Sequence, residues 1–435
     1  MRAGLRAVIG GLTGLWLTAA SAVTIEKVTS AQGIEAWLVE DHNNPIIACH
    51  FSFAVGAASD PDGKSGLAAM AADLLDEGAG DLDSQAYQGR LEDLAIALSF
   101  AVDTDNFSGQ LKTLSENRDS AFHLLGLALT APRFDEAAVE RVRGQTLTAI
   151  KQEEQEPQAL ANHALAAALF ADHPYGRTRS SDTVLAITRT DLAPWVPTHL
   201  AKDRLVIGVV GDITPLQLAG LLDSTFGGLP ATVSLPPIPD ISPPTQGRTL
   251  VIRRPIPQSV VEFGKSGIKR GDPDWYNATV MNYILGGGSF SSRLMTEVRV
   301  KRGLAYGVST SLMPYRHAGV LEGEVATRND KVTASLAVIK DEWRRMESED
   351  VSAAELSAAK TYLNGAFPLQ MDSTRSIASL LVAVQKDHLG IDYFDRRASL
   401  ISSVDAPHIR AVAKRLLDPD ALTIVVVGDP PGTLE

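Results

Sequence analysis

Residue types able to do hydrolytic, nucleotide or metal chemistry are present in this 435-residue chain, but their spacing discards most of that chemistry. Nine histidines are scattered so that no two lie within five residues of each other, which excludes a helical two-histidine zinc site. Gly63-Lys64-Ser65 and Gly264-Lys265-Ser266 invite a phosphate-loop reading. That loop needs a glycine five residues upstream, where Ala58 and Ser259 stand instead. Gly286-Gly287-Gly288 reads as a flexible turn after a helix, because it follows no strand and does not continue into the dinucleotide fingerprint. Ser266-Gly-Ile-Lys269 and Ser357-Ala-Ala-Lys360 match a serine–lysine pattern without its companion motifs, and there is no Gly-x-Ser-x-Gly elbow. Cys49, the single cysteine, cannot form an internal disulfide, and its apolar neighbours predict a buried small hydrophobe.

Two segments are more informative. Lys64-Ser-Gly-Leu-Ala-Ala-Met-Ala-Ala-Asp-Leu-Leu-Asp-Glu-Gly78 resembles the zinc-site helix of the pitrilysin/insulinase peptidases, the inverted zincins. In that family the helix carries His-x-x-Glu-His, two histidines for the metal and a glutamate to polarise its water. Aligned from Gly66-Leu67, the three positions are Ala69, Ala72 and Asp73, and the third ligand, a glutamate on a later helix, falls on Val142. The resemblance therefore implies that no zinc is held by this chain. Asp73 alone supplies one oxygen against the three protein ligands of a catalytic zinc, and Glu140 is the neighbour that could disturb the register.

The second segment, Ser292-Arg-Leu-Met-Thr-Glu-Val-Arg-Val-Lys-Arg-Gly-Leu-Ala-Tyr-Gly-Val308, is similar to the family's C-terminal signature and matches its arginine and tyrosine at Arg299 and Tyr306. On spacing alone these read as a solvated helix residue and a half-buried strand residue. The resemblance implies that the pair reaches a substrate backbone beside a zinc, where a guanidinium and a phenol can donate to a carbonyl oxygen gaining charge. It further implies a zinc-free subunit working with a homologous zinc-bearing subunit on peptide substrates, with zinc expected on that partner. A non-enzymatic peptide-binding or scaffold protein on a degenerate peptidase fold is the alternative.

The elements that must position these residues are written twice. Leu205 to Asp212 reads LVIGVVGD and Leu422 to Asp429 reads LTIVVVGD, 217 residues later, each an apolar β-branched run ended by Gly-Asp. Asn44-Pro45 and Asp60-Pro61 are echoed by Ile256-Pro257 and Asp272-Pro273 at an offset of 212. Residues 230–246 hold six prolines and read as a linker, since proline lacks the donor that a helix interior or central strand needs. The expected domains are 23–229 and 247–435. Helices are predicted over Lys64–Glu77, Glu136–Glu154, Pro157–Phe170, Trp275–Leu285, Asp330–Ser348 and Ser352–Leu363, with strands between them. The expected fold is α+β: two duplicated domains, each a mixed, mainly antiparallel sheet with helices on one face, arranged as a clamshell.

Composition bounds the rest. Lys and Arg number 40 against 52 Asp and Glu, a net −12 with no concentrated basic patch, so nucleic acid is not an expected partner. Arg2 and Arg6, the 14-residue apolar run Ala7 to Ala20 and Ala20-Ser21-Ala22 read as a cleaved export signal over 1–22. That run is shorter than the roughly 20 residues a membrane-spanning helix needs, so stable membrane insertion is not expected. The expected location is outside the cytoplasm, in the periplasm if the source is Gram-negative.

Overall fold

A computed structural model describes residues 24–432; the expected signal segment lies outside the described residues. The first half builds a six-stranded sheet from β1 (Glu26–Thr29), β2 (Glu35–Glu40), β3 (Ile46–Phe53), β4 (Ala97–Val102), β5 (Phe107–Leu114) and β6 (Leu205–Gly211), in the order β1-β2-β6-β3-β5-β4. The second builds a five-stranded sheet from β7 (Arg248–Arg253), β8 (Gln258–Ser266), β9 (Ala305–Pro314), β10 (Gly319–Arg328) and β11 (Thr423–Gly428), in the order β7-β11-β8-β10-β9. Apart from the leading β1 the two orders coincide. Only β2 with β6 and β7 with β11 run parallel; the other pairs are antiparallel. The α+β expectation holds, and residues 230–246 between the two sheets contain no regular element.

The duplication reaches into side-chain packing. Phe51 of β3 lies over Gly109 of β5, and Phe263 of β8 lies over Gly323 of β10. A Cβ at Gly109 would come within 2.1 Å of the Phe51 ring, and one at Gly323 within 2.4 Å of the Phe263 ring, so both places require glycine. Phe51 and Phe53 join Phe107, Phe122, Trp195 and Phe226 in the first core, whereas Phe263 packs edge-on to Trp343 in the second.

The helices relevant to the motifs are α1 (Leu67–Leu74), α2 (Glu136–Glu153), α3 (Pro157–Phe170), α4 (Trp275–Asn282), α5 (Val332–Ser348) and α6 (Thr374–Lys386). α1 is shorter than its apolar pattern suggests, because Gly66 at φ +105° cannot continue a right-handed helix. α4 also stops early, at Asn282, and the chain continues as a π-helical turn over Tyr283–Gly287. The triple glycine is close-packed in the structure, contrary to a flexible turn. A Cβ on Gly286 would sit 2.4 Å from the Thr310 hydroxyl of β9.

Each sheet carries its own helices on one face, as expected. The opposite face receives one helix from the other half: α6 lies across β3 and β6, and α3 lies across β8 and β11.

Candidate functional site

Two regions carry the sequence motifs. In the first half α1 is anchored by Asp60, whose carboxylate accepts the backbone N–H groups of Gly66 at 2.8 Å and Ala68 at 2.9 Å. It thereby satisfies donors that a helix start leaves orphaned. Burial pushes the Asp60 carboxyl up to about 6, against the pull of those N–H groups and of Arg177. Sequence reading treated Asp60-Pro61 only as a repeated landmark. The acid six residues ahead of the glycine was the available sign of a cap.

α1 turns Leu67, Met70, Ala71 and Leu74 into the core, where it packs against α2. Ala72 and Val142, at the general-base and third-ligand positions, are 2% and 3% exposed in the same apolar cluster. Ala69 is half-buried, and Asp73 reaches solvent four residues along the same helical face. Burial raises the Asp73 carboxyl, an effect that Arg179 opposes. Glu140 is exposed and accepts from the Arg143 guanidinium, so it does not take the place of Val142. Methyl and isopropyl groups cannot ligate a metal, and among the described residues no group of three His, Cys, Asp or Glu side chains is placed to hold one. Zinc does not fit this site.

In the second half the chain from 282 to 306 is irregular and pinned from several sides. Asn282 accepts from the Thr310 hydroxyl at 2.7 Å and donates to its carbonyl at 3.1 Å, tying the end of α4 to β9. A second π-helical segment spans Met295–Val300. Such turns are rare, and they occur disproportionately at functional sites. Arg293 is buried and donates twice to Glu355, while the buried Glu297 accepts from Lys301 and Arg302. Those pairs hold the segment and give each of its other charges a partner within it or on Glu355.

Arg299 is the exception. Its guanidinium carbon stands 4.4 Å from the ring centre of Tyr306 and 4.9 Å from that of Phe290, a cation between two aromatic faces. Tyr306 is 82% exposed, on a β-bulge between Ala305 and Gly307 of β9, and Phe290 is 67% exposed. Neither the guanidinium nor the phenol has a hydrogen-bond partner among the described residues. The structure thus brings the two sequence-selected residues into contact and adds Phe290, which sequence reading missed. Its signal was an aromatic residue two positions after three glycines, where no core stripe calls for one.

A cavity of about 1270 Å³ lies at neither motif. It opens between the β4–β5 turn, the β9–β10 turn and the end of α6, lined by Asp105, Arg270, Arg316 and Lys386 among others. Cys49 is buried, its thiol pushed up to about 12 by desolvation, in keeping with a core role.

Comparison with known proteins places this geometry. Residues 36–183 match the family model "Insulinase (Peptidase family M16)" and residues 186–363 match "Peptidase M16 inactive domain". A Helicobacter pylori protein named non-peptidase homolog YmxG is 29% identical over 82% of this chain and 83% of its own length. The beta subunit of the Saccharomyces cerevisiae mitochondrial-processing peptidase is 24% identical over 72% of this chain and 71% of its own. The crystal structure of a peptidase M16 inactive domain from Pseudomonas fluorescens superposes with a TM-score of 0.87 at 26% identity, covering 94% of this chain and 99% of that one. Two adjoining models of one family, the doubled sheet and the ligand positions reduced to Ala69, Asp73 and Val142 agree: the chain belongs to peptidase family M16, and its metal motif is degenerate.

Proposed function

We propose that this chain is the zinc-free subunit of an exported heterodimeric metallopeptidase, lending Arg299 and Tyr306 to peptide hydrolysis at a zinc held by a homologous partner. The observation that carries this reading is the stacked, solvent-facing Arg299–Tyr306 pair, whose donors have no partner among the described residues. Transition-state stabilisation needs donors placed where charge develops, and these donors need not sit on the chain that binds the metal. Stacking on two rings fixes the guanidinium plane and leaves its N–H edge free for a peptide carbonyl. The phenol supplies a second donor from an independent strand. The metal chemistry belongs to the partner; this chain contributes orientation and charge stabilisation. The basic and apolar start of the sequence supports export, and no described helix is long and apolar enough to cross a membrane.

The test is co-purification with a zinc-bearing homologue, followed by zinc analysis and peptide-cleavage assays of each subunit alone and of the mixture. Cleavage is expected only from the mixture. Arg299→Ala or Tyr306→Phe should lower its turnover by about 10²-fold at unchanged zinc content, the scale of one lost oxyanion donor. Stoichiometric zinc and unaided cleavage by this chain would overturn the reading. A second reading, a peptide-binding or scaffold protein, is favoured by the relative named as a non-peptidase homolog. It predicts peptide affinity without any partner and mixed-complex turnover indifferent to both substitutions.

A further inference from the structure

The exchanged helices meet the two sheets at equivalent places, and those places hold opposite chemistry. On the first sheet the centre of the α6 contact is apolar, formed by Val39, Ala48, Val210, Ala378 and Leu381. A Cβ on Gly208 would lie 2.6 Å from the Ala378 carbonyl, so the helix sits almost on the strand backbone. On the second sheet α3 brings Ala161, Leu165 and Leu169 against Val425 and Val427.

Beside each apolar contact stands one titratable residue. His50 of β3 has a buried Nδ1 with no partner and lies beside a pocket lined by Gln110 and by Arg375 of α6. Glu262 of β8, 212 residues later, is 5% exposed and accepts from Gln158 of α3. The helix residues correspond as well, Arg375 lying 217 residues after Gln158. These are the two offsets of the internal repeat, so His50 with Arg375 and Glu262 with Gln158 occupy one duplicated position.

The charged surroundings are one-sided in each case. Lys386 and Arg375, both on α6, act on His50; Gln110 beside it on β5 and Gly208 on β6 are uncharged, and no carboxylate offsets the cations. Glu324 and Glu322 of β10 act on Glu262; Val425 of β11 and Gln158 and Asn162 of α3 are uncharged, and no cation offsets the acids. We propose that α6 and α3 are two proton-gated joints between the halves, His50 releasing the first in acid and Glu262 releasing the second in alkali.

The signs follow from burial and like charge. Desolvation, then Lys386 and Arg375, lower His50 from 6.5 to about 4. Its contribution to docking is complete above 6.5 and is lost as pH falls towards 4. Desolvation, then the neighbouring glutamates against the Gln158 bond, raise Glu262 from 4.5 to about 8. Its contribution is complete below 4.5 and is lost as pH rises towards 8. Between pH 4.5 and 6.5 both contributions are partly lost, but their slopes oppose each other, so the summed hold on the halves is level there and weakens on either side. The joint is a property of this chain alone and needs no partner subunit.

Amide hydrogen exchange across pH 3.5 to 9, corrected for intrinsic rates, reads each helix separately in the intact chain. Protection over Thr374–Lys386 should fall on the acid side and protection over Pro157–Phe170 on the alkaline side, each by up to about tenfold per pH unit, the limit for one linked proton. His50→Gln should flatten the acid limb and leave the alkaline one, and Glu262→Gln should do the converse. If either variant fails to fold by circular dichroism, Arg375→Gln and Glu324→Gln, which remove a facing charge but not the burial, should narrow the same limbs without abolishing them. Limbs left unchanged by all of these variants, or helices that loosen together at one end of the range, would overturn the proposal.

Discussion

The metal-motif region of the first half and the arginine–tyrosine region of the second have been treated by the fold in opposite ways. At the first, every position able to bind zinc in the family carries carbon except Asp73, and Ala72 and Val142 are absorbed into the core. At the second, polar groups remain at the surface without internal duties. Arg293 and Glu297, a few residues away, show what the fold does with charges it uses itself: it buries them and pairs them. Arg299 is neither buried deeply nor paired. A side chain that contributes to folding has partners inside the chain, so a pair stacked on rings with idle donors points outward.

The sharpest way to break this comparison is to put an acid back where the core has closed. Val142→Glu would bury a carboxylate in an apolar cluster with no partner, and it should cost about 3 kcal/mol or more of stability. Urea unfolding monitored by circular dichroism measures it. A loss under about 1 kcal/mol would mean that water reaches the space between α1 and α2, and the region would count as an emptied site rather than a filled one.

Much of this was legible in the sequence because repetition and periodicity are carried by many residues at once. The Gly-Asp strand ends, the proline offset and the α3 boundaries, Pro157–Phe170, are found where expected. What escaped depends on single contacts. The π-helical turns at Tyr283–Gly287 and Met295–Val300 have no apolar period of their own, because one extra residue per turn shifts the stripe. The Asp60 cap and the Phe290 stack each join residues across loops, and the helix exchange is a tertiary choice that two equivalent halves could make with either sheet. Periodicity says which face of α3 or α6 is apolar. It does not say whose sheet covers it.

Gly286→Ala tests whether the close-packed glycine turn is what delivers the second region. The added methyl meets the Thr310 hydroxyl and, at 2.8 Å, its backbone nitrogen, so β9 must move from the end of α4. A cost of about 1–3 kcal/mol is expected from such overpacking. The shift should also spread to Tyr306, four residues back along β9, and lower mixed-complex turnover. A variant with lower stability but unimpaired turnover would separate the packing of β9 from the placement of the pair.

The smallest expected effect is the most discriminating. Arg299→Ala and Tyr306→Phe should leave the unfolding free energy within about 1 kcal/mol of the parent, since an exposed cation–π contact contributes only about 0.5–1 kcal/mol and the phenol oxygen has no partner among the described residues. Arg293→Ala is the internal contrast: it abandons Glu355 beside a buried segment and should cost clearly more. If Arg299→Ala destabilised the chain as much as Arg293→Ala does, its guanidinium would be doing structural work, and the outward-facing reading would lose its footing. If it left the midpoint in place while abolishing cleavage by the mixed complex, stability and chemistry would have been parted at one side chain, as a donor reserved for something outside the chain requires.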